Sequence, residues 1–291
     1  MKVLIAGCGY VGKALAAELL VAGHTVVALK RTPTGLPEGA LPLSADLFDA
    51  AALRQALAPH GDTDAIVYAA SPSVRDRSKA REAYERTYGE GPANVLDALS
   101  PRRFVLVSST GAYGAADGRW VDEDTAPEPT RATGEALLEG EQALHERRPD
   151  AVVLRLSGIY GATRTMLVRS VRDGRARRPA QTKWTNRIHR DDCAGALHHL
   201  LRLEAPAPLY CGTDDTPAPL AEVQAFLAEQ LGVPVPGPGE GEEAPGRGGS
   251  KRVRNARLRA SGYTFRLPSY RDGYPPIVQE VLQGDGPDKP N

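Results

Sequence analysis

The chain has 291 residues, with 36 basic against 36 acidic side chains and 41% hydrophobic residues. That length suits two domains, or one large α/β domain with an added lobe, and the balanced charge gives no reason to expect nucleic acid as a partner. Three widely spaced cysteines, Cys8, Cys193 and Cys211, argue against a disulfide framework or a zinc site and for a reducing compartment.

From the amino end, Lys2-Val3-Leu4-Ile5-Ala6 reads as a buried strand, followed by Gly7-x-Gly9-x-x-Gly12 and a helix through Leu20. In that order the parts suit a dinucleotide diphosphate. The first glycine permits a tight turn, and the second lets backbone N–H groups approach the phosphates. The third brings helix against strand, so the anion sits at the helix's positive end. Three glycines, Lys13 and Glu18 interrupt the apolar start, which therefore does not read as a secretory signal. No apolar run reaches the length of a membrane span, and a cytoplasmic protein without a membrane partner is expected.

Strand two is Thr25–Leu29, and a loop with Pro33, Gly35, Pro37 and Gly39 leads to a short strand at Leu41–Leu43. A helix over 49–58, a strand over 65–69 and a long charged helical region over 75–99 follow, the last disturbed by Gly91-Pro92. Then come a strand over 104–107, a helix over 135–147 and a strand over 152–156. Strands alternating with helices, each strand a continuous apolar run, predict a doubly wound parallel α/β sheet covered on both faces. Beyond Gly161 the pattern loosens into helices at 162–174, 191–203 and 219–231, a strand at 208–211, and weaker helices at 254–261 and 275–282. Residues 233–250, rich in Pro, Gly and Glu, read as a mobile loop, either a flap or a plain linker, and the last residues as frayed. The expected division is a dinucleotide-binding domain over 1–160, completed by about 186–212. A small C-terminal substrate lobe takes 161–185 and 213–291.

In an open parallel sheet, ligands bind beyond the carboxyl ends of the strands. Tyr10 and Val11 complete the glycine turn. After strand two stand Lys30 and Arg31, where a coenzyme lacking the 2′-phosphate would call for an acidic residue; two cations favour NADP(H), with NAD(H) the alternative. Asp46 and Leu47 fall near the adenine, although Asp46 equally suits a helix cap. Ala69 and Ala70 let backbone lie against a cofactor. Ser108-Ser109-Thr110-Gly111-Ala112-Tyr113-Gly114 offers three hydroxyls at the end of its strand, and Ser157-Gly158-Ile159-Tyr160-Gly161 ends the next.

These motifs, with Leu154-Arg155-Leu156, Arg187-Ile188-His189-Arg190-Asp191-Asp192, Tyr210, Asp214-Asp215 and Asn255-x-x-Leu258, stand in the order seen in extended short-chain dehydrogenase/reductases. The whole chain resembles the NAD(P)-dependent epimerase/dehydratase group. The resemblance implies a Rossmann fold and a nicotinamide coenzyme held by Gly7, Gly9, Tyr10, Val11, Gly12, Lys30, Arg31, Asp46, Leu47, Ala69, Ala70, Ser157, Gly158 and Ile159. It implies a small carbonyl or sugar-nucleotide substrate, near which Arg164, Arg169, Trp184, Lys251 and Arg252 would lie. It also suggests a homodimer through the helices near 75–99 and 135–147. His189 reads as structural before catalytic.

One departure cuts across the resemblance. Such enzymes use a Tyr-x-x-x-Lys pair, the ammonium lowering the tyrosine pKa so that phenolate is available near neutrality. Here Thr130 stands at the tyrosine position and Gly134 at the lysine position, and none of the ten tyrosines has a lysine four residues later. The substrate-binding hydroxyl remains, as Ser109 or Thr110. Three readings follow: another acid/base, with Tyr113 first and Tyr160 second; a non-catalytic NADP(H)-binding redox sensor; or hydride transfer with water as the proton source.

Overall fold

The computed structural model describes residues 1–74, 76–239 and 249–284. Its first elements are β1 (Lys2–Ala6), α1 (Tyr10–Val21), β2 (Thr25–Leu29), β3 (Leu41–Leu43), α2 (Ala50–Leu57) and β4 (Ala65–Tyr68). Next come α3 (Ala80–Glu85), α4 (Gly91–Ala98), β5 (Arg103–Ser109), β6 (Trp120–Val121), α5 (Ala132–Arg147), β7 (Val152–Leu156) and β8 (Gly158–Tyr160). The remainder is α6 (Met166–Arg172), β9 (Trp184–Thr185), β10 (Arg187–His189), α7 (Arg190–Arg202), β11 (Leu209–Gly212), β12 (Ala218–Pro219), α8 (Leu220–Leu231), β13 (Arg252–Val253), α9 (Ala256–Ala260) and α10 (Tyr270–Leu282). The chain forms two compact units. The first comprises Met1–Ala112, Pro129–Arg155 and Cys193–Tyr210; the second comprises Tyr113–Glu128, Leu156–Asp192 and Cys211–Asn291. Residues 113–128, which sequence reading placed in the first domain, therefore cluster with the second unit.

The first unit is built on a seven-stranded sheet of order β3-β2-β1-β4-β5-β7-β11. The ladders from β3 through β5 are parallel, as the unbroken apolar runs predict. Val3, Leu4, Ile5 and Ala6 are fully buried, as are all four residues of β4. The order reverses between β1 and β4, and at that switch point a doubly wound sheet opens a crevice. The glycine turn leaves β1 there, and Ala69-Ala70 leaves β4 beside it.

The charged region near 75–99 departs from expectation. It is not one disturbed helix but α3, a π-helical turn over Arg86–Glu90, and α4. The Gly91 N–H donates to Arg86 O, five residues back. Pro92 has no N–H to give the carbonyl four residues before it, and the wider turn accommodates that loss. A Cβ on Gly91 would collide with the Tyr68 hydroxyl, which is buried without a hydrogen-bond partner. Leaving such a hydroxyl dry costs on the order of 1–3 kcal/mol. Tyr68→Phe is therefore expected to hold or raise the denaturation midpoint; a loss above about 1 kcal/mol would show that the hydroxyl is bonded after all.

In the second unit, β8 pairs with β10 and β6 with β13, both parallel, while β9 and β12 are antiparallel. Strands of two or three residues show no periodicity, so sequence reading did not anticipate these six. The core packs Val168 and Val171 of α6 with Val223 and Leu227 of α8 and Tyr274 and Val281 of α10. The helix expected over 162–174 is confined to α6, because Thr163 holds φ at +69° and cannot be helical. The helix expected from Pro275 instead begins at Tyr270, with Ser269 accepting a hydrogen bond from the Arg271 N–H at 3.1 Å. Convention favours proline in the first turn. Here Tyr270, Tyr274, Ile277, Val278 and Val281 are all buried, and their packing carries the helix through both prolines. The expected mobile loop falls largely on 240–248, which lie outside the described residues, as do Arg75 and the chain end from 285.

Candidate functional site

The glycine turn of the first unit has the shape its spacing predicts. Gly7 adopts φ +86°, and a Cβ there would come within 2.5 Å of the Ala70 backbone, so a side chain is excluded on both counts. Gly12 lies 3.1 Å from Ile5 Cγ2 by the same measure, which lets α1 press against β1. Gly9 is different: a Cβ there would meet nothing closer than the Gly7 carbonyl at 3.9 Å. It caps α1 without a capping side chain and with no acidic residue in the first turn. The positive end of this helix is therefore offset neither by a capping side chain nor by a carboxylate in its first turn.

Positive charge also gathers around the turn. The buried Cys8 thiol is raised to about 11 by desolvation, with Lys13 and Lys30 pulling the other way. Arg31 is exposed and carries the carbonyl that accepts the Ser44 hydroxyl at 2.9 Å. Asp46 is not the cap of α2: its carboxylate accepts the Phe48 N–H at 3.0 Å, and Asp49 is the residue that caps the helix. Leu47 is buried, and its carbonyl accepts from the Asn94 amide at 2.9 Å.

At the carboxyl end of β5 the three hydroxyls separate into two groups. Ser108 is buried and donates to the Glu141 carboxylate of α5. Arg155 of β7 meets the same carboxylate through Nε at 3.1 Å and Nη2 at 2.6 Å. Sequence reading missed this triad; an arginine inside the apolar run Val152–Leu156 was the available signal, since a buried guanidinium needs a carboxylate. Ser109 is half-buried and Thr110 buried, and Ser109 Oγ accepts the Gly111 N–H at 3.0 Å.

Gly134, which stands where the resemblance expects a lysine, has no room for a side chain. A Cβ on Gly134 would lie 2.8 Å from Pro129 Cβ and 3.1 Å from the Gly111 carbonyl oxygen. Thr130 is exposed at the surface of the first unit. No single replacement restores the usual pair.

The other predicted residues belong to the second unit. Ser157 is 7% exposed, and its buried hydroxyl has no hydrogen-bond partner among the described residues. Its neighbour Gly158 lies on β8, with N–H donating to Asn186 O at 3.1 Å, and Ile159 follows. Tyr113 is 2% exposed, with its hydroxyl 3.6 Å from Cys211 Sγ. Tyr160 is buried, which raises its phenol, and it donates to Ser269 O at 3.4 Å. His189 accepts the Asp191 N–H at 3.2 Å, and burial lowers its imidazole below the usual range. Asp192 is fixed by the Tyr263 hydroxyl at 2.8 Å and the backbone N–H groups of Arg266 and Leu267.

Of the cations expected around a substrate, Arg164 donates to Ile159 O and Arg169 to Thr165 Oγ1. The Arg252 guanidinium sits between Trp184 and Trp120, 4.7 and 4.9 Å from their ring centres. Lys251 is no surface charge: it is 2% exposed, donates to Tyr113 O at 2.7 Å, and burial lowers it to about 8. Among the described residues no helix is long and apolar enough to cross a membrane, and no cluster could hold a metal.

Comparison with known proteins gives the family and the fold. The pattern of the NAD dependent epimerase/dehydratase family matches residues 3–208. The chain belongs to the NAD-dependent epimerase/dehydratase family. It is 30% identical to the 3-diazoavenalumate denitrifying reductase of a Streptomyces species, an alignment covering 94% of this chain and 99% of the relative. A Methylobacillus flagellatus structure, given as a candidate NAD-dependent epimerase/dehydratase, is 35% identical with a TM-score of 0.80, covering 97% and 98% of the two chains. The Bacillus cereus UDP-glucuronic acid 4-epimerase, solved with UDP-glucuronic acid and NAD, superposes with a TM-score of 0.82 at 19% identity over 97% and 99%, a likeness of fold. Within an epimerase/dehydratase chain, the open face at Gly9, the uncapped α1 and the small residues Ala69 and Ala70 fit a bound dinucleotide.

Proposed function

We propose that this family member is an NADP(H)-dependent reductase acting on a small carbonyl or sugar-nucleotide substrate without a Tyr-x-x-x-Lys pair. One observation carries the reading: Gly7 and Gly12 keep a tight turn that admits no side chain, while a side chain at Gly134 would collide with Pro129 and Gly111. The Streptomyces relative, a reductase by name and alignable over nearly its full length, supports reduction over epimerisation. When bound, a reduced nicotinamide supplies a hydride. Ser109 and Thr110 hold the acceptor atom of the substrate by hydrogen bonds, and solvent water supplies the proton. Tyr113, its hydroxyl turned to Cys211 in the buried interior of the second unit, has a packing role in this reading. Lys30 and Arg31 receive the 2′-phosphate, and a homodimer through the helices that Arg81 joins by ion pairs to Glu135 and Glu139 belongs to the same proposal.

The test is NADPH oxidation followed by absorbance across carbonyl compounds, sugar nucleotides and a diazo compound. Turnover is expected with at least one class, and Tyr113→Phe should keep the rate within a few-fold. A Tyr113→Phe rate loss above about 100-fold would restore that tyrosine as the acid. Tight NADPH binding with no turnover on any class would instead establish the non-catalytic sensor, which the missing pair also favours. Arg31→Asp should weaken NADPH more than NADH; equal losses would remove the 2′-phosphate role.

A further inference from the structure

We infer that Arg252, stacked with Trp120 and Trp184 in the second unit, binds the carboxylate of a small aromatic acid. This goes beyond the reductase reading and does not depend on it. β6 and β13 pair with Arg252 opposite Trp120. The Arg252 guanidinium lies over the Trp120 ring at 4.9 Å and over the Trp184 ring at 4.7 Å. Arg254, two residues on, lies over Trp120 at 5.1 Å. Gly118 fixes the arrangement. It holds φ +78°, a Cβ there would stand 2.9 Å from Trp184 Cδ1, and its carbonyl accepts Arg252 Nε at 2.7 Å.

Two guanidiniums therefore gather on one indole, and neither forms an ion pair among the described residues. Carboxylates close by in sequence are engaged elsewhere: Asp117 and Glu128 with Arg119, and Asp124 with Arg257. With an indole on either hand and Nε bonded to Gly118, the part of Arg252 left to a ligand is its outer edge. That edge is a flat fork of N–H donors on Nη1 and Nη2. A carboxylate is flat as well and meets such a fork with two oxygens in one plane. A phosphate is tetrahedral, and on the same edge it would turn an oxygen against an indole face, where the π-cloud is negative. The exposed Trp120 ring offers apolar surface to the body of an aromatic acid, and Arg254 adds a second positive charge.

Trp120 and Trp184 are the two tryptophans of the chain, so tryptophan emission reads this stack alone. The test titrates the full chain, without coenzyme, with 3-phenylpropionate, its uncharged amide and inorganic phosphate. A saturable change in emission is expected with the acid, and binding weaker by about tenfold or more with the amide and with phosphate. Arg252→Lys keeps the charge but loses the fork, and should weaken the acid about tenfold with the melting temperature unchanged. No saturable change with the acid, equal affinity for the amide or for phosphate, or an Arg252→Lys variant that binds as wild type overturns the inference. The contrast between acid and amide is read on unaltered protein, so it decides the matter even where a variant unfolds. Coenzyme and turnover play no part in the measurement, which therefore fails or stands apart from the reductase reading.

Discussion

Replacing Glu141 with leucine should destabilise the protein by roughly 3–5 kcal/mol, the cost typical of leaving a buried charge without its counterion. Glu141 and Arg155 are 5% and 4% exposed, and the guanidinium meets the carboxylate through two nitrogens. Ser108 closes the remaining lone pair. Removal of the carboxylate strands a guanidinium and a hydroxyl together inside the first unit. The double replacement Glu141→Leu with Arg155→Met should recover most of that loss, because apolar groups of similar volume need no partner. Denaturant titration of the two single variants and the double variant completes the cycle. A single-variant loss below about 1 kcal/mol, or losses that simply add, would show that the pair is solvated and contributes little.

Alkaline titration should expose a second buried group, Asp214. It is 1% exposed; Oδ1 accepts the Thr216 N–H at 3.2 Å, whereas Oδ2 has no partner. Desolvation raises this carboxyl from 3.8 to about 8, against the pull of the Thr216 N–H and Arg187 and with the push of Asp215 and Asp192. Between those two values the folded chain holds a proton that the unfolded chain has released. Stability contributed by this site is therefore full below pH 4, declines as pH rises, and is lost above about 8. Asparagine imitates the protonated acid, so Asp214→Asn should match wild type near pH 4 and exceed it clearly at pH 9. Denaturation midpoints at several pH values measure the difference. An Asp214→Asn variant that is less stable than wild type at pH 9 would mean that the carboxylate is ionised and paired with Arg187.

The parts of this protein that sequence revealed are those in which periodicity or a fixed turn chemistry repeats over many residues. Strands β1, β2 and β4 are nearly continuous apolar runs, as are Phe104–Val107 of β5 and Val152–Leu154 of β7, and a sheet buried on both faces requires that. Gly7 and Gly12 were legible because each meets a specific obstacle, the Ala70 backbone and Ile5. Glu141, by contrast, carried no local signal: its partners are 33 and 14 residues away, and only the fold joins them. Lys251 was expected beside the substrate, and sequence cannot show that this residue, just before β13, is taken into the interior. The start of α10 was misplaced because two prolines outweighed, on paper, an apolar stripe that the core satisfies. The closing of the lysine position was half visible: Gly134 was plain, while the role of Pro129 in filling the space needed coordinates.

The widened turn over Arg86–Glu90 sets the phase of everything after it in that segment. Each residue of an α-helix advances the chain by about 100° around its axis, so shortening this stretch by one would rotate α4 by roughly that angle. Asn94 would swing away from the Leu47 carbonyl, and Pro92 and Val95 would turn from the interior toward water. Substitutions on the outer face of this stretch are compatible with the fold in a way that single-residue deletions are not, so variants of this protein should drift in spelling there while keeping count.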